Sequence, residues 1–231
     1  MMKIEVITQN AQETIQAERC GVDRVELVSA MEEGGLTPNG HTLQSVLKST
    51  SIPVHIMVRP HSDHFIYGEE EWKTIKQDLS MIDSLGGRKI VFGCLTAEGT
   101  IDETLLKKVI AHVPTFEITF HRAFDRVSSQ IDAYKTLTAY KTYVKRILTS
   151  GGKDTSVEAI SQLQTLVQLS KTLNGPTILV GSGLTATNIQ FIHQHVRATE
   201  YHFGSGVRCK GDVKKPLSSE KIKAIRNHLK I

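Results

Sequence analysis

The sequence predicts an α/β chain folded as a single (β/α)8 TIM barrel, and three observations carry that expectation. Strand-like and helix-like segments alternate from one end to the other, a pattern that implies a parallel sheet. Eight such pairs fit into 231 residues, roughly 29 residues each, the size at which eight units close into a barrel. No GxGxxG follows the first strand, which sets aside the runner-up, an open doubly wound sheet. No linker or low-complexity tract interrupts the series, so one domain is expected over 1–231.

The elements follow in order. Lys3–Ile7 is a short strand, and the helix after it, near Gln12–Cys20, is closed by Gly21. Arg24–Val28 is the second strand. A polar loop over Ser29–Asn39 leads to a helix near His41–Ser49. Val54–Arg59 is the third strand, stopped by Pro60, and a long loop precedes a helix over Glu70–Leu85. Lys89–Gly93 is the fourth strand, and Asp102 caps a helix over Glu103–His112. Phe116–Phe120 is the fifth strand, with a helix near Ser129–Tyr140. Val144–Ser150 is the sixth. Its helix runs from about Asp154 to Leu173 and ends at Asn174-Gly175-Pro176. Thr177–Gly181 and Glu200–Phe203 are the last strands, with helices near Ala186–His195 and over Ser218–Lys230.

Composition narrows the function. Hydrophobic residues make up 39% and charged residues 23%, an ordinary globular mixture. The net charge is +4, and no basic stripe interleaves with aromatics, so no nucleic-acid partner is expected. The sequence shows neither a signal-peptide core nor an apolar run of the ~18 residues a membrane span requires, so no membrane partner and a cytoplasmic location are expected. Three separated cysteines without a CxxC indicate neither a disulfide framework nor a structural zinc site.

Candidate site residues come from strand parity. Alternate residues of a barrel strand face the helices and the interior, and the uniformly apolar set should face the helices. Ile4 and Val6 then place Glu5 inside; Val25 and Leu27 place Arg24 and Glu26 inside. By the same rule His55, Met57 and Arg59 of the third strand face inward, as do Glu117, Thr119 and His121 of the fifth and His202 of the eighth. Barrels are ordinarily filled with branched apolar side chains. Five ionisable groups, Glu5, Glu26, Arg59, His121 and His202, therefore form either a site or an internal salt-bridge network. Adjacent carboxylates Glu5 and Glu26 would repel, and one pKa would rise unless Arg59 lies between them.

The stretch Phe116–Asp125, FEITFHRAFD, ends in a base, a guanidinium and a carboxylate: His121, Arg122 and Asp125. These either join the site at the barrel mouth or, for Arg122 and Asp125, clasp a turn. Tuned carboxylates or an imidazole serve general acid–base chemistry, and Arg59 or Arg122 would hold an anionic group. Glycine-bearing loops after the last strands, Gly181-Ser182-Gly183 and Gly204-Ser205-Gly206, with Asn188 or Arg208 assisting, sit where barrel enzymes bind phosphate. Ser150 and Gly151, in LTSGG, form a third mouth loop. Cys94 and Cys209 are placed where they could reach the mouth, and His61 and His64 are a second pair of metal-type donors; no ligand set is assigned.

The segments AERCGVDRVEL (Ala17–Leu27), EGGLTPN (Glu33–Asn39), IPVHIMVRP (Ile52–Pro60), TFHRAFD (Thr119–Asp125), RILTSGG (Arg146–Gly152) and GSGLTATN (Gly181–Asn188) resemble the CutC copper-homeostasis family over nearly the whole chain. The resemblance implies a cytoplasmic TIM barrel, a homo-oligomer and a role in copper handling, with copper ion as a partner; the residues themselves point to the alternative, a lyase, isomerase or hydrolase acting on a small anionic or phosphorylated substrate at the barrel mouth. It maps the family's recurring mouth residues onto Glu5, Glu26, Arg59, His121, Arg122, Asp125 and His202. Two departures matter. Family cysteines proposed as copper ligands correspond to Ile7 and Val28, and the pattern RPRGGDF stands here as RPHSDHF, Arg59–Phe65.

Overall fold

The computed structural model describes residues 2–231. Eight parallel strands close into a barrel in sequence order: β1 (Lys3–Thr8), β2 (Arg24–Leu27), β3 (Val54–Met57), β4 (Lys89–Phe92), β5 (Glu117–Phe120), β6 (Val144–Thr149), β7 (Thr177–Val180) and β8 (Glu200–Phe203). The ring is sealed by β1 against β8, with Glu5 level with His202. Helices α1 (Ala11–Arg19), α2 (Gly40–Ser49), α3 (Glu69–Ser84), α4 (Glu103–His112), α5 (Gln130–Thr138), α6 (Ile160–Leu173), α7 (Ile189–Val196) and α8 (Ser219–Leu229) follow the strands.

The parity reading describes the core. Ile4, Val6, Val25, Leu27, Ile56 and Phe120 are fully or almost fully buried against the inner faces of the helices. A smaller apolar cluster of Val28, Met31, Met57 and Val91, with Ile7 and Val213 packed on it, lies apart at the mouth. Short polar side chains start five of the helices, Asp102 among them as the sequence indicated. Asn10, Asn39, Asp102, Ser129 and Ser218 each accept the amide hydrogen three residues on, a cap generally worth ~1 kcal/mol. Gly21, just past α1, sits at φ +78°, where a side chain would be strained.

Two helices start later than their periodicity indicated. The segment after β6 begins as a 3-10 turn over Ser156–Ala159, because Thr155 and Glu158 form a reciprocal cap there. Before α7, Asn188 folds back: its Oδ1 accepts the Thr185 amide hydrogen and its Nδ2 donates to Gly183 O, both at 2.8 Å. That turn keeps Ala186–Asn188 out of the helix. Among the described residues no helix is long and apolar enough to cross a membrane.

Candidate functional site

The barrel interior holds a charged layer. Glu5 is fully buried and accepts from three elements. Arg24 of β2 donates from Nε at 2.5 Å, His202 of β8 from Nδ1 at 2.7 Å, and His55 of β3 lies 3.3 Å away. Arg24 reaches on to Glu200 at 2.6 Å, and Arg146 of β6 lies 3.4 Å from the same carboxylate. Burial by itself would raise the Glu5 pKa, but the Arg24 charge and the two imidazole hydrogen bonds outweigh it and hold the carboxyl well below its ordinary range. For His202, burial disfavours the charged ring, yet Glu26 and Glu5 together raise its pKa.

Arg59 does not stand between the glutamates, which is the condition under which one carboxyl pKa was to rise; Arg24 is the cation beside Glu5. Arg59 lies on the rim, 8% exposed, donating to Gly34 O and Ser62 O with its guanidinium 4.8 Å from the Phe65 ring centre. Glu26 is left without a cation of its own. Its Oε2 is 3.7 Å from His202 Nε2 and its Oε1 has no partner in the protein. Burial drives its pKa up to about 7, the nearby His202 opposing and Glu5 reinforcing the rise. The expected upward shift is therefore real and falls on Glu26.

Above this layer a cavity of about 260 Å3 opens at the strand C-terminal ends. Glu26, Arg59, His121, Arg122 and His202 share its wall with Ile7, Val28, Met31, Met57 and Phe65. Ile7 and Val28, with Met31 and Met57, make part of that wall apolar. Gly183, Gly204 and Ser205 also line it with Ser182 and Gly206, Gly204 lying against Ile7 and Met31. Gly206 is required there: a Cβ on it would fall 1.9 Å from Leu184 O. Ser182 carries φ +78°, uncommon for a side-chain-bearing residue and concentrated at functional sites in general.

His121 is 4% exposed. Its Nδ1 accepts the Ala123 amide hydrogen at 3.1 Å, which puts the ring proton on Nε2, an atom with no partner in the protein. Burial, aided by the Arg59 charge, pushes its pKa down to about 3, so the ring is neutral. Phe65 packs against it with ring centres 4.9 Å apart.

Other expected site residues lie elsewhere. Asp125 is a clasp: it accepts from Arg122 Nε at 2.8 Å, from Thr149 Oγ1, from the Ser150 amide and hydroxyl, and from the Gly152 amide. Ser150 is engaged by that clasp, and Gly151 donates to Thr149 Oγ1, so neither lines the cavity. Gly181 is also outside the wall, its amide donating to Thr149 O. Arg208 pairs with Glu13 at 2.8 and 2.9 Å and Asn188 with its own turn, and neither lines the cavity. Cys94 is buried in the main core, its thiol donating to Asp102 O, and burial together with the Asp102 charge pushes its pKa well up; Cys209 is exposed. His61 faces Asp63 and Glu71 at 3.9 and 4.0 Å, and His64 lines an outer chamber that shares Gly34, Arg59, Phe65 and Arg122 with the inner cavity. Ser182 and Gly206 belong to the glycine-bearing loops expected at the mouth, whereas Phe65 carries no signal in the sequence, because its part depends on a loop path that no strand periodicity encodes.

Comparison with known proteins gives one consistent family. A model of the CutC family matches residues 2–207. A CutC family protein of Klebsiella pneumoniae is 39% identical over 83% of this chain and 75% of its own length. The human copper homeostasis protein cutC homolog is 36% identical over 86% of this chain and 71% of its own. A solved Streptococcus agalactiae structure assigned as a CutC copper homeostasis protein superposes with a TM-score of 0.80 at 27% identity, covering 87% of this chain and 98% of that one. Phosphoribosylanthranilate isomerase of Pyrococcus furiosus, at 13% identity and a TM-score of 0.64, shares the fold.

Proposed function

Because this chain belongs to the CutC family, we propose that it takes part in copper homeostasis, and that it does so in the cytoplasm, as a homo-oligomer, by binding and acting on a small anionic molecule at the barrel mouth. The observation that carries the choice of ligand is the charge on the cavity wall. Arg59, Arg122 and a His202 whose pKa is raised face a single carboxyl, Glu26, that is itself shifted toward the neutral form. Such a wall favours an anion.

Direct copper binding is the reading this chain's donors fit less well. Copper(I) takes soft thiolate or thioether ligands. Cys94 is sealed in the core and Cys209 is exposed, and the cavity wall offers Ile7 and Val28 where the resemblance puts cysteines, leaving Met31 and Met57 as thioethers without a thiolate. Among the described residues, Glu5, Glu26 and His202 form the one acidic and imidazole grouping whose donor atoms lie within 4.8 Å of one another. Both oxygens of Glu5 are already engaged, and the Arg24 guanidinium 2.5 Å away repels a cation. Chelator-treated protein is accordingly expected to take up Cu(I) no more tightly than a Cys94→Ala, Cys209→Ala variant in competition with a chromogenic chelator. A stoichiometric site lost in that variant would restore the thiolate reading.

For the anion, inorganic phosphate or sulfate is expected to raise the melting temperature, and Arg59→Ala to abolish the rise. An unchanged melting temperature with both anions would refute the assignment.

A further inference from the structure

Buried polar atoms in native proteins nearly always have partners, so each exception asks for an explanation. Among the described residues eight buried side-chain nitrogen and oxygen atoms lack one, and three of those atoms belong to residues on the wall of the inner cavity: Glu26 Oε1, His121 Nε2 and Arg59 Nε. All three residues are more than nine-tenths buried. Their side chains, one with an acceptor, one with a neutral N–H donor and one with a guanidinium, line a single cavity of about 260 Å3 at the barrel mouth.

Resting on the anion-binding reading above, we infer that the cavity is built for proton transfer next to a carbonyl group, in a small carbonyl compound that carries an anionic substituent. The ionised Glu26 carboxylate removes a proton from the carbon beside the carbonyl. The C–H electron pair becomes the new C=C bond, the carbonyl π pair moves onto oxygen, and that oxygen accepts the hydrogen bond from His121 Nε2–H. Return of the proton from Glu26 to the same carbon, as the oxygen's electron pair re-forms the carbonyl, completes an exchange; where that carbon also carries a hydroxyl, passage of the hydroxyl proton to the first oxygen and of the Glu26 proton to the former carbonyl carbon, with the C=C pair, completes an isomerisation and leaves the new carbonyl at the hydroxyl-bearing carbon. No electrons enter or leave, so no oxidant or reductant is required. Arg59 anchors the anionic substituent.

The remaining features suit these roles. A base is most effective when its pKa lies near the working pH, and Glu26 stands at about 7. An imidazole fixed as the neutral Nε2–H tautomer donates to the developing oxyanion without first having to lose a proton, and the Ala123 amide fixes that tautomer. Met31, Met57, Val28 and Ile7 keep the reacting carbon in an apolar setting, which strengthens both interactions.

The test uses phosphoglycolohydroxamate, a phosphorylated hydroxamate that mimics an enediolate, against inorganic phosphate by calorimetry. The hydroxamate is expected to bind at least ~100-fold more tightly than phosphate, as transition-state mimics do. His121→Asn, whose Oδ1 can still accept the Ala123 amide hydrogen but whose donor no longer reaches the cavity, is expected to lose ~10-fold or more of hydroxamate affinity and none of the phosphate affinity. Glu26→Gln, of the same shape as the native residue, provides a second variant should His121→Asn fold poorly, and it too should weaken the hydroxamate selectively. Equal binding of hydroxamate and phosphate to the wild-type chain overturns the inference and leaves the anion reading standing. Failure of both ligands to bind overturns both.

Discussion

Replacing Arg24 by Ala should be among the most damaging single changes in this barrel, lowering stability by ~3–5 kcal/mol at pH 8, the usual cost of leaving a buried charge without its partner. Arg24 is 3% exposed and bridges Glu5 on β1 to Glu200 on β8. Without it Glu5 retains two imidazole neighbours but loses the cation that does most to offset its desolvation. The loss should depend on pH in a defined direction. In the wild-type chain Glu5 is held below its unfolded pKa, so its contribution is present above that value and disappears as pH falls through the lower, folded one. In Arg24→Ala burial is unopposed by the guanidinium, the carboxyl is driven to take up a proton, and the deficit should shrink toward pH 4. Urea unfolding at pH 8 and pH 4 measures both numbers. A double variant, Glu5→Gln with Arg24→Met, should recover most of the loss, since removing a buried pair together is far cheaper than removing one member. A deficit equal at both pH values would mean that packing of the arginine, rather than its charge, holds the barrel.

This network also shows how far the sequence could be read. Strand parity needs only the alternation of Ile4 and Val6, or Val25 and Leu27, and it correctly turned Glu5, Arg24, Glu26, His55, Thr119 and His202 inward, because a two-residue period survives any detail of packing. Partner choice did not survive in the same way. Arg24 and Arg59 both face the barrel axis or its rim, and which one reaches Glu5 depends on register: Glu5 is level with Arg24, while Arg59 lies beyond the end of β3. The loops were less legible still. LTSGG has the composition of an anion loop, yet its Ser150 and Gly151 donors are consumed by Asp125 and Thr149. Asp125 lies 24 residues before its Thr149 partner, a contact that only the closed fold creates. GSGLTATN looks similar in composition, and there Ser182 and Gly183 do reach the cavity.

The second large effect is a gain of stability. A carboxyl held at about 7 in the folded chain is protonated there across a pH range where the unfolded chain has already ionised it. The folded state is thus penalised as pH rises from the ordinary carboxylate value to about 7, and the full penalty, ~3 kcal/mol, persists above that. Glu26→Gln removes the titration while keeping the side chain's shape. Its stability relative to the wild-type chain should climb by ~2–3 kcal/mol between pH 4 and pH 8, with the rise concentrated between about pH 5 and pH 7. The surrounding groups set the sign: His202 of β8 opposes the penalty, Glu5 of β1 adds to it, Arg24 of β2 offsets it in part, and His55 is the level neighbour on β3. Burial is the largest influence, so the net direction is a cost. Denaturant midpoints of the two proteins across that range decide the matter. A difference that stays flat would show that Glu26 is already satisfied in the folded chain. A difference that climbs would show that the chain carries an unstable carboxyl at the mouth of its barrel, as expected of a side chain placed there to react rather than to hold the fold together.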